Sequence, residues 1–370
     1  MASLVEEIGI EAVLAPIAPD APAGADPRED FAPMAPYRVL RGARGAARAA
    51  ERAADADADP EAGMPPEWRT VRQTALKILS SSAKDIEVAA WLTEALVRSD
   101  GLRGLEAGAL VVTGLATHFW ETGLFPTADP DDAADRLSAV DGLSGSTGDG
   151  TLIQPLRKLT LFSRADGSPV PLYKFDASMK LQGEADKTKV AQRIASGVVP
   201  FEELEREAKA AGGAVFAALR QQTRAALAAW NTMAETLDRL AGADGPSTGR
   251  VRAVLEEILD VAQRFAPAEV GEAAAAESGD ASASGETLPG TGGGARTSMG
   301  ETRDGMLTEL GRIAGFFRRT EPHSPLSYTL DEAVRRGRMS LPDLLEELVP
   351  DANARAQILS QLGIRPATPE

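Results

Sequence analysis

The sequence predicts a mainly α, multi-domain protein, with an N-terminal helical domain, a helical hairpin and a small C-terminal four-helix oligomerisation domain. Three observations predict it. Apolar residues recur at steps of three and four through most of the chain, the period of an amphipathic helix. The stretch from Ala268 to Gly300, AEVGEAAAAESGDASASGETLPGTGGGARTSMG, is rich in Gly, Ala, Ser and Glu and holds no aromatic residue. It cannot bury enough apolar surface to offset its ordering entropy, so it reads as a flexible, acidic linker. The whole chain, 370 residues with 43% hydrophobic, suffices for two or three domains with cores of their own. The expected boundaries are 1–185 for the N-terminal domain, 186–267 for the hairpin, 268–300 for the linker and 301–370 for the C-terminal domain.

The start, MASLVEEIGIEAVLAPI, has two glutamates where a signal peptide would carry lysine or arginine, and no stretch reaches the ~18 apolar residues of a membrane span. A cytoplasmic chain without membrane insertion is expected. The segment AARAAERAADADADPEAGMPPEW is soft in composition and reads as an exposed loop or fraying helix. Trp68, Val71, Ala75 and Ile78 then make one apolar stripe. Val88, Trp91, Leu92, Ala95 and Leu96 make a second, with Ser82 as its N-cap, Asp85 in its first turn and Asp100-Gly101 as its stop. GLEAGALVVTGLATHFW is apolar almost all round and belongs in the centre of a core. In RKLTLFSRADGSPVPLYKFD, two β-prone runs flank Asp166-Gly167, a small hairpin.

From Phe216 the spacing tightens through Leu219, Thr223, Ala226, Trp230, Met233, Leu237 and Leu240. After the turn AGADGPSTG it resumes through Val251, Val254, Ile258, Val261 and Phe265. These two runs suit either an antiparallel hairpin on a heptad-like seam or two ordinary core helices. Beyond the linker, Met306, Leu310, Ile313 and Phe317 face one helix, and Leu326, Leu330 and Val334 another. Leu344, Leu345 and Leu348, then Ile358, Leu359 and Leu362, complete the set. Four short helices in about 65 residues form a domain near the size at which oligomerisation supplies missing burial.

Chemistry is hard to place on this chain. With no cysteine, disulfides, thiolate nucleophiles and Cys-based metal sites are excluded, and the net charge of −16 argues against an extended nucleic-acid surface. Asp55, Asp57 and Asp59 have calcium-loop spacing, but Pro60 and Pro66 stand where such a loop needs glycine and a bidentate glutamate. No phosphate loop, G-x-S-x-G or H-E-x-x-H pattern occurs. Paired acids such as Asp131 and Asp132 read as a solvated face, and His118 as a core or interface group. In EPHSP, both Glu321 and Ser324 precede proline and oppose helix continuation. Pro325 then suits the first position of the next helix, so the segment is a corner, and His323 stands alone without triad or metal partners. No catalytic residue, cofactor site or metal site is expected.

Two blocks of the sequence carry a family resemblance. The first is LAPIAPDAPAGADPRED, the run from Trp68 to Leu79, SSAKDIEVAAWLTEALVRSDGLRGL and HFWETGLFP. It resembles the ImpA-type N-terminal domain of the TssA family of the bacterial type VI secretion system. The second, FFRRTEPHSPLSYTLDEAVRRGRMSLPDLLEEL with a closing QLGI, is similar to the C-terminal domain of the shorter, baseplate-associated class. The region from Leu152 to Gly183 and the long linker depart from the family pattern.

The resemblance implies a non-catalytic assembly component: a ring-like oligomer that organises the baseplate and primes or coordinates sheath and tube polymerisation. It implies symmetry related to six-fold and peripheral association with the apparatus at the inner membrane. The partners it implies are the baseplate proteins TssK, TssF, TssE and TssG, the sheath proteins TssB and TssC, the tube protein Hcp, and VgrG. An adaptor or effector chaperone forming a small oligomer is the alternative.

In the C-terminal domain, basic Arg312, Arg318, Arg319, Arg335, Arg336 and Arg338 precede acidic Asp343, Glu346 and Glu347. Head-to-tail subunit contacts are expected between these groups, with Leu344 or Leu348 at the apolar centre. In the N-terminal block, Lys84 and Asp85 are candidate partner contacts, or else serve only to open a helix.

Overall fold

The computed structural model describes residues 4–56, 63–127, 133–267 and 325–339, with a few single positions from Ala314 to Arg355. The expected linker 268–300, together with His323, Arg319, Glu346 and Leu348, lies outside the described residues. The described elements are helical apart from one two-stranded hairpin, so the protein is mainly α. Two compact units divide the chain, Met1–Asp280 and Ala281–Glu370.

In the first unit, α1 (Leu4–Glu7) and α2 (Ile10–Leu14) precede three longer helices, α3 (Pro36–Ala56), α4 (Glu67–Ser81) and α5 (Ile86–Phe119). Trp68, Val71, Ala75 and Ile78 are all buried on α4, as their spacing predicts. α5 is two helical segments joined at Gly101, whose φ of 59° and ψ of −127° no side-chain-bearing residue adopts without strain. Asp100-Gly101 therefore stops one helix, and the chain restarts at once as the buried run from Leu102 to Phe119. A Cβ at Gly101 would also lie 2.9 Å from Leu159 Cδ1. Gly101→Ala is expected to lower the unfolding free energy by about 1–2 kcal/mol, read from urea denaturation; an unchanged midpoint would show that the kink is not required.

Of the two readings of the stretch that begins at Ala46, an exposed loop or a fraying helix, a helix is found as far as Ala56, where it forms the second half of the 21-residue α3. Its inward face carries only Tyr37, Leu40 and Ala47 as buried residues, with Ala43 partly buried beside them, and its other inward contacts are ion pairs, hydrogen bonds and contacts with aromatic rings. Apolar periodicity gives a weak signal for a helix held largely by polar contacts.

After α6 (Ala133–Ser144) and α7 (Ile153–Arg157), β1 (Thr160–Ser163) and β2 (Pro169–Pro171) pair antiparallel around Asp166-Gly167. Then come α8 (Leu172–Gln182), α9 (Lys187–Ala195), α10 (Phe201–Ala211), α11 (Gly213–Ala241) and α12 (Gly249–Phe265). The stripe Phe216, Leu219, Thr223, Ala226, Trp230, Met233 and Leu237 is buried, as is Val251, Val254, Ile258 and Val261 on α12. The Trp230 indole N–H donates to the Thr248 carbonyl at 3.0 Å and pins the turn. α11 packs on both α12 and α5. The boundary expected at 185/186 thus falls between helices that share one continuous core, because α11 is apolar on two faces and not along a single seam.

In the second unit, α13 (Pro325–Arg338) starts with proline at its first position. The Arg335 and Arg336 guanidinium groups reach Glu332 and also Glu347, the latter at 2.6 and 2.9 Å. Arg318 pairs with Asp331 and lies over the exposed Tyr328 ring.

Candidate protein-docking site

Three segments of the N-terminal block meet in space at Lys84-Asp85. The segment runs extended between two others: Lys84 N–H donates to the Ala23 carbonyl at 2.8 Å, and Phe125 N–H donates to the Lys84 carbonyl at 2.9 Å. Gly24 faces Ala83 in an antiparallel bridge with a φ of 79°, and a Cβ there would sit 2.1 Å from the Ser82 carbonyl oxygen. Only glycine permits that approach.

Both side chains are 0% exposed. Lys84 Nζ donates to the carbonyls of Val13 and Leu79, each at 2.6 Å, and lies 5.6 Å from the Phe119 ring centroid. Burial pulls its pKa down to about 8. Asp85 is the N-cap of α5 and accepts from Val88 N–H at 3.0 Å, while its other oxygen meets Arg28 at 2.7 Å. Burial pushes its carboxyl above the usual range, against the downward pull of Arg28 and of the Val88 N–H. The expected N-cap, Ser82, instead closes α4.

Of the two readings of Lys84 and Asp85, helix opening is the one that Asp85 meets, as the N-cap of α5, and burial makes both residues internal fasteners and not surface contacts. Completely buried and fully engaged, they present nothing to a partner. Their neighbours do reach the surface. Arg28 bridges Asp26, Asp85 and Glu87, and the Tyr37 hydroxyl donates to Glu87 at 2.7 Å. Burial, then that hydrogen bond, raises the Tyr37 pKa.

From this cluster a polar seam runs along α3 and α5. Tyr37 meets Glu87, Arg44 meets Glu94 at 2.7 Å, and Glu51 meets Arg98 at 2.6 Å. Partners ascend together on both helices, so α3 runs parallel to α5, with α4 packed against each. Aromatic faces interleave with the charges: Arg28 over Tyr37, Tyr37 stacked on Trp91, Arg44 over Trp91 and Arg98 over Trp68. Each such contact adds about 0.5–2 kcal/mol in partly desolvated settings. Sequence reading missed Arg28, Tyr37, Arg44 and Glu94. The available signal was the seven-residue step shared by Tyr37, Arg44 and Glu51 on one helix and by Glu87 and Glu94 on the other.

Outside this seam lie Phe31 and Met34, 74% and 79% exposed, beside a groove lined by Arg28, Tyr37, Arg38 and Arg41. His118 is exposed at the end of α5 and not in the core. Of the C-terminal candidates, Arg318, Arg335, Arg336 and Glu347 all make ion pairs within their own chain, and Leu344 is half-buried.

Three comparisons with known proteins find relatives of this chain. The family model for the N-terminal region of ImpA, of the type VI secretion system, matches residues 14–145, which span Lys84-Asp85 and the whole α3–α5 seam. The solved N-terminal domain of the TssA component of the type VI secretion system from Burkholderia cenocepacia, which includes the conserved ImpA_N region, is similar in structure. It superposes with a TM-score of 0.56 at 27% identity, over 70% of this chain and 93% of that one. Type VI secretion system component TssA1 of Pseudomonas aeruginosa is 30% identical over 358 residues, covering 95% of this chain and 98% of the relative. With likeness extending through both units, the chain belongs to the TssA family of type VI secretion system components.

Proposed function

We propose that this protein is a non-catalytic organiser of the type VI apparatus, a ring-like oligomer that assembles the baseplate and primes sheath and tube polymerisation. The observation that carries the reading is the end-to-end likeness to TssA1, which includes the C-terminal unit as well as the ImpA-type domain. The C-terminal domain expected at 301–370 forms the ring, and the linker expected at 268–300 lets the N-terminal domains search for partners at raised effective concentration. Candidate partners are TssK, TssF, TssE and TssG, TssB and TssC, Hcp and VgrG. The protein works in the cytoplasm, peripheral to the apparatus at the inner membrane; among the described residues no helix is long and apolar enough to cross a membrane.

The proposed subunit contact uses Arg318, Arg319, Arg335, Arg336, Leu344, Glu346, Glu347 and Leu348. Arg335 and Arg336 already hold Glu347 within one chain, so a neighbouring carboxylate would exchange with it. Such solvent-facing pairs differ by only about 0–1 kcal/mol, which leaves the leucines as the main source of affinity. Light scattering is expected to give a discrete oligomer for the full chain and a small species for residues 1–267. Leu344→Asp is expected to shift the full chain towards subunit mass. A monomeric full chain, or an oligomer retained by residues 1–267, would overturn the ring and favour a small adaptor.

A further inference from the structure

The exposed face of α3 has features that nothing inside the unit requires. This helix carries five arginines against two carboxylates in a chain of net charge −16. Arg44 is consumed by the seam, but Arg41 and Arg52 are exposed and make no ion pair among the described residues. Arg38 only covers the Phe31 ring, at 5.7 Å. At 3.6 residues per turn, Arg38, Arg41 and Arg52 share one side of the helix, a basic stripe about 21 Å long from first to last.

Between these arginines stand Gly42 and Gly45, both exposed. A mid-helix glycine costs about 1 kcal/mol relative to alanine. Neither has a positive φ, and a Cβ at either would meet nothing within 4 Å. Their small size serves no contact within the protein; it leaves room for another backbone to approach. At the N-terminal end of the stripe, Phe31 and Met34 stand in solvent as an apolar pair. Arginine, aromatic side chains and methionine are the types that interface centres favour. The scaffold is held firmly, since Tyr37 and Arg44 anchor α3 to α5 through half-buried and buried partners, and Arg28 ties the preceding loop to Asp85.

We propose that this face docks an acidic amphipathic helix of a partner protein. Carboxylates about one turn apart would meet Arg38 and Arg41, a further one about three turns along would meet Arg52, the partner backbone would cross at Gly42 and Gly45, and an apolar side chain would seat on Phe31 and Met34. Charge complementarity selects this occupant, because guanidinium forks pair bidentately with carboxylates and a basic or neutral helix gains nothing from the stripe. The proposal rests on the assembly reading for its biological setting, but binding here and ring formation can fail separately.

The test is fluorescence anisotropy with the full chain and a labelled 15-residue helical peptide that has glutamates at i, i+4 spacing and two leucines on the same face. A lysine analogue, anionic lipid vesicles and polyphosphate serve as competitors. Expected are saturable binding of the acidic peptide that weakens with salt, at least about a tenfold loss for Arg41→Glu/Arg52→Glu, and a smaller loss for Arg41→Gln/Arg52→Gln. Phe31→Ala/Met34→Ala should weaken it about fivefold, with helicity and oligomer mass unchanged in every variant. Gly45→Leu should also block binding. Absence of saturation at 1 mM, or indifference to charge reversal, overturns the proposal. Tighter capture of vesicles or polyphosphate lost in the same variants does so too, by reassigning the stripe to polyanions.

Discussion

Asp85→Ala is expected to destabilise the protein by about 3 kcal/mol, read as a lower urea midpoint with an unchanged slope. The carboxylate does two things at once: it caps α5 through Val88 N–H, and it holds Arg28. Loss of the N-cap orphans the buried Val88 N–H, which costs about 1–3 kcal/mol. Arg28 keeps Asp26 and Glu87 as partners, which holds the total at the lower end of the 3–5 kcal/mol typical of a broken buried pair. Asp85→Asn keeps the cap and should lose roughly half as much. If alanine costs under about 1 kcal/mol, Asp85 is not a fastener, and a direct role at a partner surface returns.

Raising the pH from 7 to 9.5 is expected to stabilise the protein by about 2 kcal/mol through Lys84. Its folded pKa of about 8 lies below the unfolded value of 10.5. Between those values the unfolded chain binds the extra proton, so unfolding becomes harder as pH rises through the window. The neutral amine still has two N–H groups for the Val13 and Leu79 carbonyls, so deprotonation removes the cost of a buried charge without orphaning either acceptor. Tyr37 acts in the opposite direction. Its raised pKa means that stability falls as pH climbs through the ordinary tyrosine range, so the measurement belongs below pH 10. Urea titrations at stepped pH should show the rise in the wild type and lose it in Lys84→Met. A flat wild-type profile would mean that Lys84 is solvated.

These two residues show where legibility ended. SSAKDIEVAAWL marks a helix start from sequence alone, and the apolar stripe of Val88, Trp91, Leu92, Ala95 and Leu96 is buried or nearly so. Which polar residue caps that helix was misread, because Ser82 and Asp85 are both good caps and only the strand-like contacts with Ala23 and Phe125 decide between them. Burial was misread for the same reason. A Lys-Asp pair beside a helix looks like surface until the loop holding Gly24 and Arg28, nearly sixty residues earlier, is folded over it. In the second unit, charge pattern alone suggested contacts between subunits, yet Glu347 is within reach of Arg335 and Arg336 of its own chain.

The sequence by itself determined the helical class, the buried stripes of α4, α11 and α12, the break at Gly101, the small β-hairpin and the family, since each is written in local spacing, in turn chemistry or in motifs. Only the tertiary structure decided that α3 is a full helix, that Lys84 and Asp85 lie inside, and that α11 joins the N-terminal core. The physical reason is common to all three. Apolar periodicity reports faces buried against any apolar neighbour, whereas ion pairs such as Arg44–Glu94 and contacts such as α11 on α5 depend on which segments meet, and that is fixed by packing across long stretches of chain.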